Sequence, residues 1–429
     1  MEKGKEFTLL FQPPASMQIA EEKKDLFLKK RISLYVHIPF CEKKCFFCSI
    51  VTCQKYTDEF IENYVRVLEK EIFDYREYFT INQVSCVHIG GGTPSLLKLE
   101  QIERIFGMLQ TCLPNFKDLE IVFEGEASSL SDSKIEFLAE SGQVAINIGV
   151  QTFDPGVIRK INRWSSPERI IDRLTLASKK NFRSVGIDIM CNLPFSNEDI
   201  TISDIDKACD LNVNHISLYP LRVEPDSIFH DYSSKYEKAF LSLEDQMQIY
   251  SNAAKYLRGK GYEHYSIFHF SNKKEETYLY SRNQMHGGEW VGLGVAAYSY
   301  YNRSVFANTR DVTEYINLGN QGGSRMWIQE DNNIQKDLIR QFAFSLRITN
   351  IKNQYYLHKY GDVIYRKFFV PLIKYLVSEG YANEINCGFT LSDKGILNFP
   401  KIESDILDNY EKIIANHTGD KYQISELFG

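Results

Sequence analysis

The sequence predicts an α/β protein: six parallel strands, each followed by helix, curled into a partial (β/α)6 barrel, with a C-terminal winged-helix-like accessory domain. Three observations predict it. Strand-like and helix-like periodicities alternate six times between residues 33 and 219. The residues that carry chemistry fall at the C-terminal ends of the strands, where barrels of this kind place their sites. Near residue 333 the texture changes to helices followed by a β-wing and a further helix.

Taken in order, residues 1–31 are polar and irregular, with Pro13 and Pro14, and are expected to form an N-terminal arm. Strand one spans 33–38 and is followed by a cysteine-bearing loop. A helix is expected over 57–78, with Phe60, Tyr64, Val67, Leu68 and Ile72 at helical spacing. Strand two (84–89) runs into GGGTPS and a helix from about 99. Strand three (119–123) precedes a helix at 131–140. Strand four (144–150) precedes helical segments at 155–161 and 167–179. Strand five (184–190) precedes a helix from 198, and strand six is 214–219. Repeated β-α units of this kind imply a parallel sheet with right-handed crossovers. The barrel is assigned to 32–230. Residues 231–330 are read as a barrel extension with substrate-side elements: a helix at 242–260 and Gly-rich turns such as HGGEWVGLGVAAYSYY. Residues 331–429 form the winged-helix-like domain, with helices at 336–346 and 363–379 and the wing in YANEINCGFTLSDKGIL.

The chain has 429 residues, 43% hydrophobic and 25% charged, enough to bury a sizeable core. Its net charge of −6 argues against a general nucleic-acid binder. No run of 18 apolar residues spans a membrane, and the N-terminus lacks the apolar stretch of a signal peptide. The expectation is a cytoplasmic protein whose nine cysteines stay reduced or bind metal.

Residues 35–48 read YVHIPFCEKKCFFC, which places Cys41, Cys45 and Cys48 at C-x3-C-x2-C spacing. Structural zinc takes four ligands, usually as two pairs, and no partner pair stands nearby. A [4Fe–4S] cube normally takes four thiolates. Three on one loop leave one iron open to bind and polarise a ligand. Zinc and a plain electron-transfer cluster are the other readings of this spacing.

This stretch resembles the radical S-adenosylmethionine (SAM) enzymes. More narrowly, it is similar to the subgroup of oxygen-independent coproporphyrinogen III oxidase and the related haem chaperone. The resemblance covers about residues 32–300. It implies that Cys41, Cys45 and Cys48 ligate three irons of a [4Fe–4S] cluster and that SAM chelates the fourth. One electron from the cluster then cleaves SAM to methionine and a 5′-deoxyadenosyl radical. Tyr35 matches a tyrosine near the sulfonium and is the catalytic candidate. Phe47 would pack on the adenine. Gly91, Gly92 and Thr93, in GGGTP, match the turn that meets the methionine amino group; taken alone, that turn is an ordinary tight strand-to-helix connection. Glu124 (in VFEGE) and Gln151 (in INIGVQ) match SAM-contacting residues. Arg163 matches the arginine that pairs with the SAM carboxylate, a bidentate task suited to guanidinium. Asp188 matches the ribose-binding acid, and a carboxylate in so apolar a strand needs a partner.

The substrate half is less specified. His215 and His88 are read as packed strand residues. The fourth cysteine usual in the oxidase is replaced by Ile50. The haem-binding stretch of the chaperone corresponds here to YSRNQMHGG, which keeps Asn283 but has Tyr280 and Met285 at its histidine and tryptophan positions. Met285 and His286 are possible haem ligands; the plain reading is a helix start packed on the barrel mouth. The first expectation is an oxidoreductase acting on a porphyrin or haem. The alternatives are a radical methyltransferase or cyclopropanase using a second SAM, and a haem-binding chaperone with little turnover. The resemblance also implies an electron donor such as flavodoxin or ferredoxin. The C-terminal helix carries Arg366, Lys367 and Lys374 but leads to an acidic segment, so it reads as a lid, not a nucleic-acid reader.

Overall fold

The computed structural model describes residues 31–418 except 82, 234–239, 274, 276–277, 324–325 and 331–333; the expected arm lies almost wholly outside them. Six parallel strands pair in sequence order: β1 (Arg31–Ile38), β2 (Gln83–Gly91), β3 (Glu120–Gly125), β4 (Gln143–Gln151), β5 (Ser184–Cys191) and β6 (His215–Pro220). β1 and β6 do not pair with each other. The sheet continues past β6 into antiparallel β8 (His269–Ser271) and β7 (Glu263–Ser266). Past β1 it continues into β9 (Glu289–Leu293), β10 (Tyr298–Tyr301), β11 (Ser304–Asn308) and β12 (Met326–Glu330). The result is one open twelve-stranded sheet.

Each parallel strand alternates strictly. Leu34, Val36, Val87, Ile89, Ile121, Phe123, Ile146, Ile148, Ile187, Ile189, Ile216 and Leu218 point to the helix-covered side and are at most 1% exposed. The opposite face carries Tyr35, His37, His88, Glu124, Asn147, Asp188, Ser217 and Tyr219. A period of two makes this split automatic once the helices choose one face.

The helices begin where side-chain caps place them. Thr57, Ser131, Asp154, Ser166 and Asn197 each accept a backbone N–H from the first turn of the helix that follows. The helix expected over 57–78 is divided, Asp58–Asp74 and then Arg76–Ile81. The Gly-rich segment after His286, expected as turns, forms β9 and β10. Gly292 explains this: a Cβ there would lie 2.3 Å from the Tyr298 carbonyl oxygen, so glycine lets β10 fold back closely on β9.

The C-terminal part pairs β13 (Asn350–Lys352), β15 (Gly388–Leu391) and β14 (Ala382–Ile385) into a small antiparallel sheet flanked by helices. The helix expected at 363–379 starts earlier, at Asn353, is broken by Gly361 at φ 80°, and passes through a π-helical turn at Tyr365–Phe369. Pro371, which cannot donate an N–H back into the helix, sits directly after that turn.

The extension is pinned to the barrel by Glu71, 2% exposed on the helix Asp58–Asp74. Its carboxylate accepts Gly294 N at 2.8 Å, the Tyr315 hydroxyl at 2.6 Å and Asn308 Nδ2 at 2.8 Å. Glu71→Ala strands three buried donors, so it should cost about 3 kcal/mol or more of stability in urea unfolding. Glu71→Gln, which keeps most of the shape, should cost less.

Candidate functional site

The cysteine loop is clamped over the C-terminal end of the sheet by backbone. Cys41 N donates to Cys53 O (3.0 Å), Cys53 N to Pro39 O (2.7 Å), Gly92 N to Ile38 O (2.7 Å) and Thr93 N to Phe40 O (2.8 Å). From the other side, Phe46 N reaches Ile161 O (3.1 Å) and Asn162 Nδ2 reaches Lys44 O (2.9 Å). The glycines of GGGTP make this approach possible. A Cβ on Gly90 would lie 2.7 Å from Glu124 Oε2, one on Gly91 2.6 Å from the His37 ring, and one on Gly92 2.8 Å from the Phe40 carbonyl oxygen. Gly91 also has φ 108°, a conformation that favours glycine.

Among the described residues no three His, Cys, Asp or Glu side chains converge tightly enough for a single metal ion. A cube asks for something different: one thiolate on each of several irons, so sulfurs held apart. Cys41, Cys45 and Cys48 are near enough to perturb one another's charge. Burial pushes Cys41 up to about 12 and raises Cys48 as well. Thiolates in such a pocket need cationic partners, which irons supply. Thr93 Oγ1 lies 3.4 Å from Cys41 Sγ, and Arg163 Nη1 lies 3.7 Å from Cys45 Sγ. Three thiols on one loop, with the Arg163 guanidinium beside Cys45, are a donor set that could hold a three-thiolate cluster.

Below the loop lies the polar face. His88 Nε2 is 2.8 Å from Glu124 Oε1, and Gly91 N donates to Glu124 Oε2 at 3.3 Å. Burial alone would raise the Glu124 pKa; His88, Gly91 N and His37 outweigh it, and the carboxyl lies below its ordinary range. His88 is thus a member of the site, not a plain packed strand residue, because its register puts it beside Tyr35 and next to β3. Tyr35 and His37 form a second pair, Oη to Nδ1 at 3.1 Å, while His37 Nε2 is 3.1 Å from the Val51 carbonyl oxygen. Burial lowers His37 to about 4, so it is neutral at pH 7. A carbonyl can only accept, so Nε2 carries the proton, Nδ1 accepts, and the Tyr35 hydroxyl donates. Burial and the Glu124 charge push Tyr35 well above its usual pKa, which keeps it a phenol.

Gln151 ends β4 at φ 69°, at a register shift between Gly149 and Gln151. Such bulges re-aim side chains beside active sites. Its amide and the Arg163 guanidinium both lie over Gly149, 3.4 Å and 3.3 Å from the position of a Cβ there. Arg163 also contacts the Gly149 carbonyl oxygen and lies 3.7 Å from Glu126. Burial would lower its pKa, but Cys45 and Glu126 more than compensate and hold it charged. Asp188 receives both its oxygens' bonds from Asn147 Nδ2 at 3.0 Å. Burial and the Glu124 charge nevertheless raise its pKa to about 6. Phe47, half-buried, packs against the apolar group of Val157, Ile161, Leu193, Leu221 and Phe229 beside the cysteine loop.

Sequence reasoning missed His37, Glu126 and Asn147. Glu126 is 3% exposed and contacts Ser165 and Arg163. Strand parity was the available signal: His37 and Asn147 share the alternation of Tyr35 and Gln151.

The site floor corrects another expectation. The helix Leu279–Met285 does not start at the barrel mouth; it plugs the opposite end. Asn283 Nδ2 donates to Ser33 and Ser85 (both 3.0 Å), near the starts of β1 and β2. Glu120, first residue of β3, accepts Tyr278 N (2.9 Å) and Leu279 N (2.6 Å). Tyr278 Oη donates to Asn147 (2.9 Å), and its ring stacks on His215 at 3.5 Å. His215 is a packed strand residue, as expected, with 0% exposure. Tyr280 faces Tyr35 and His88. Met285 is buried in the core and His286 is exposed, so the two do not share one iron site.

Residues 35–207 match the family described as the radical SAM superfamily. The chain is 29% identical to the heme chaperone HemW of Lactococcus lactis, over 67% of this chain and 75% of that protein. It is 27% identical to the oxygen-independent coproporphyrinogen III oxidase of Escherichia coli, over 86% of this chain and 84% of that protein. The solved structure of coproporphyrinogen III oxidase (HemN) from Escherichia coli has the same fold: TM-score 0.75 at 24% identity, covering 89% of this chain and 91% of the other.

Two glycine substitutions set the clamp against an open helix position. Gly91→Ala drives a methyl into His37 at a positive φ and should destabilise by about 2–3 kcal/mol in thermal unfolding. Gly107→Ala, on the helix Leu99–Cys112 with nothing within 4 Å of its Cβ, should gain up to about 1 kcal/mol.

Proposed function

We propose, from the premise that this chain is a radical SAM protein of the coproporphyrinogen oxidase and heme chaperone-like subgroup, that it reductively cleaves SAM and acts on a porphyrin or haem-related substrate. The observation that carries the reading is a three-cysteine loop clamped directly over a polar strand face. Cys41, Cys45 and Cys48 would hold the [4Fe–4S] cluster. When bound, the cluster supplies the electron that breaks the S–C5′ bond of SAM and yields a 5′-deoxyadenosyl radical. Arg163 and Gln151, gathered over Gly149, would receive the SAM carboxylate. Glu124 and the Gly91–Gly92–Thr93 turn would receive its amino group, Asp188 the ribose hydroxyls, and Phe47 the adenine. Tyr35 presents a neutral hydroxyl oriented by His37. The clamped loop keeps these groups fixed relative to the cysteines, which limits reorganisation during reaction.

The substrate assignment is supported by what the relatives' names state: one oxidises coproporphyrinogen III, the other is a heme chaperone. The buried floor of Tyr278, Tyr280 and His215 suits a flat aromatic ligand above it. The heme-delivery reading rests on the identity to HemW alone, since Met285 and His286 point to different surroundings. A second SAM belongs to the methyltransferase reading, which no residue placement here favours. A flavodoxin or ferredoxin would supply the electron. Among the described residues no helix is long and apolar enough to cross a membrane; the proposed setting is the cytoplasm, where thiols stay reduced and free to hold a cluster.

Anaerobic reconstitution followed by dithionite and SAM tests the function. 5′-Deoxyadenosine should form, and should rise with added porphyrinogen or haem alongside an altered tetrapyrrole spectrum. Cys45→Ala should lose both the product and the reduced-cluster EPR signal; unchanged SAM cleavage in that variant would sink the assignment. Deoxyadenosine indifferent to tetrapyrroles, with S-adenosylhomocysteine appearing, would redirect the reading to methyl transfer.

Asp188 makes a pH prediction. A ribose hydroxyl bonds a carboxylate more strongly than a carboxylic acid. With its pKa raised to about 6, Asp188 protonates as pH falls through that value, so SAM affinity should drop there. Equilibrium dialysis should show this drop in the native protein and a flat, weaker profile in Asp188→Asn. The folded chain also holds this proton more tightly than the unfolded chain does. Asp188 ionisation therefore lowers stability as pH rises from about 4 to about 6.

A further inference from the structure

We propose that the rim of the cysteine loop is the docking face for an acidic one-electron carrier protein. The inference rests on the radical SAM reading and adds to it where the electron arrives. Cys45 and Cys48 are only partly buried, so the loop lies just under the surface. Its neighbours are fixed by bonds already described and by two more: Phe229 N donates to Phe46 O (2.8 Å), and Tyr232 stacks on Phe46 at 6.0 Å.

Three large apolar side chains stand exposed around this loop: Ile50 at 46%, Tyr232 at 43% and Phe195 at 57%. Ile50 is on the loop itself. Phe195 lies under Lys160, whose Nζ is 4.0 Å from the ring centroid, and Lys160 ends the helix that hands Ile161 to the loop. The cations are concentrated here too. Lys43, Arg159 and Lys160 are exposed, and half-buried Lys44 donates to the Asp226 carbonyl oxygen at 3.2 Å. Among nearby acids, Glu42 is on the loop, exposed Asp231 precedes Tyr232, and the Asp226 carboxylate is paired with Arg310 at 3.2 Å. A basic rim on a chain of net charge −6 is a local feature, not a reflection of overall composition. Apolar contacts inside a charged rim suit a transient complex with a partner of opposite charge, steered electrostatically and released quickly. The step itself balances simply: one electron leaves the reduced carrier and enters the oxidised cluster, with no bond made or broken in the protein.

The test uses the reconstituted full chain, an acidic flavodoxin as probe, and the variant Arg159→Glu/Lys160→Glu; both residues are exposed on the helix Pro155–Lys160, outside the cysteine loop. Flavodoxin affinity, read by flavin fluorescence, should fall about tenfold in the variant. In the native protein it should weaken as salt rises. Cluster reduction by photoreduced flavodoxin should slow in parallel, while dithionite-driven deoxyadenosine formation stays unchanged. Ile50→Glu should weaken binding without steepening the salt dependence. Equal affinity in the charge-reversed variant, or a flat salt response in the native chain, would overturn the proposal. So would a native dimer in sedimentation that the charge reversal dissolves, since the face would then belong to a second copy. Failure of dithionite to drive SAM cleavage in the native chain would instead count against the radical SAM reading, and the binding measurement would still report on the docking face.

Discussion

The rest of this structure depends on one constraint: six parallel strands gather polar side chains on one half-buried face. Buried polar groups are costly unless each finds a partner. Here the partners are one another. Glu124 holds His88, His37 orients Tyr35, Asn147 satisfies Asp188, and Arg163 spans Glu126, Gly149 and Cys45. The pKa directions follow from the same arrangement. Glu124 stays ionised because two donors converge on it, while Asp188, facing that charge, is pushed toward its acid form.

The cysteine loop inherits its position from this face. His37 belongs to the wall through Tyr35 and to the loop through the Val51 carbonyl. The three glycines of GGGTP are each required by a different neighbour: Glu124, His37, and the Pro39–Phe40 backbone. The turn is therefore a packing device in its own right. Gly294 repeats the logic from the other side, where a Cβ would lie 2.6 Å from both the His37 carbonyl oxygen and the Tyr64 hydroxyl.

The two ends of the barrel are treated differently. The cysteine end is left near the surface, with its loop only partly buried. The other end is closed by Tyr278 and the helix Leu279–Met285, held by Glu120 and Asn283. A ligand above the Tyr278 and Tyr280 floor is thus confined between that plug and the loop. The C-terminal part is joined to the plug end as well. Asp337, fully buried, accepts the hydroxyls of Tyr300 on β10 and Tyr360 on the C-terminal helix Asn353–Ile364.

What the sequence by itself determined is the part written in local spacing. The alternation of β and α units, the helix starts near Thr57, Ser131 and Pro167, the cysteine triad, and the position of candidate residues at strand ends were all legible, because periodicity and capping act within a few residues. Glu124, Gln151, Arg163 and Asp188 could be singled out by the same route together with the subgroup resemblance. The tertiary structure alone decided who faces whom. Glycines in HGGEWVGLGV read locally as turns, yet Gly292 lies within β9, where close strand approach needs it. His88 read as core until register set it against Glu124. Glu126 showed no local signal, because its partner Arg163 lies 37 residues further along the chain. The end of the barrel that YSRNQMHGG occupies was likewise invisible in sequence. It depends on Glu120 and Ser33, far upstream, reaching residues that only the folded sheet brings near.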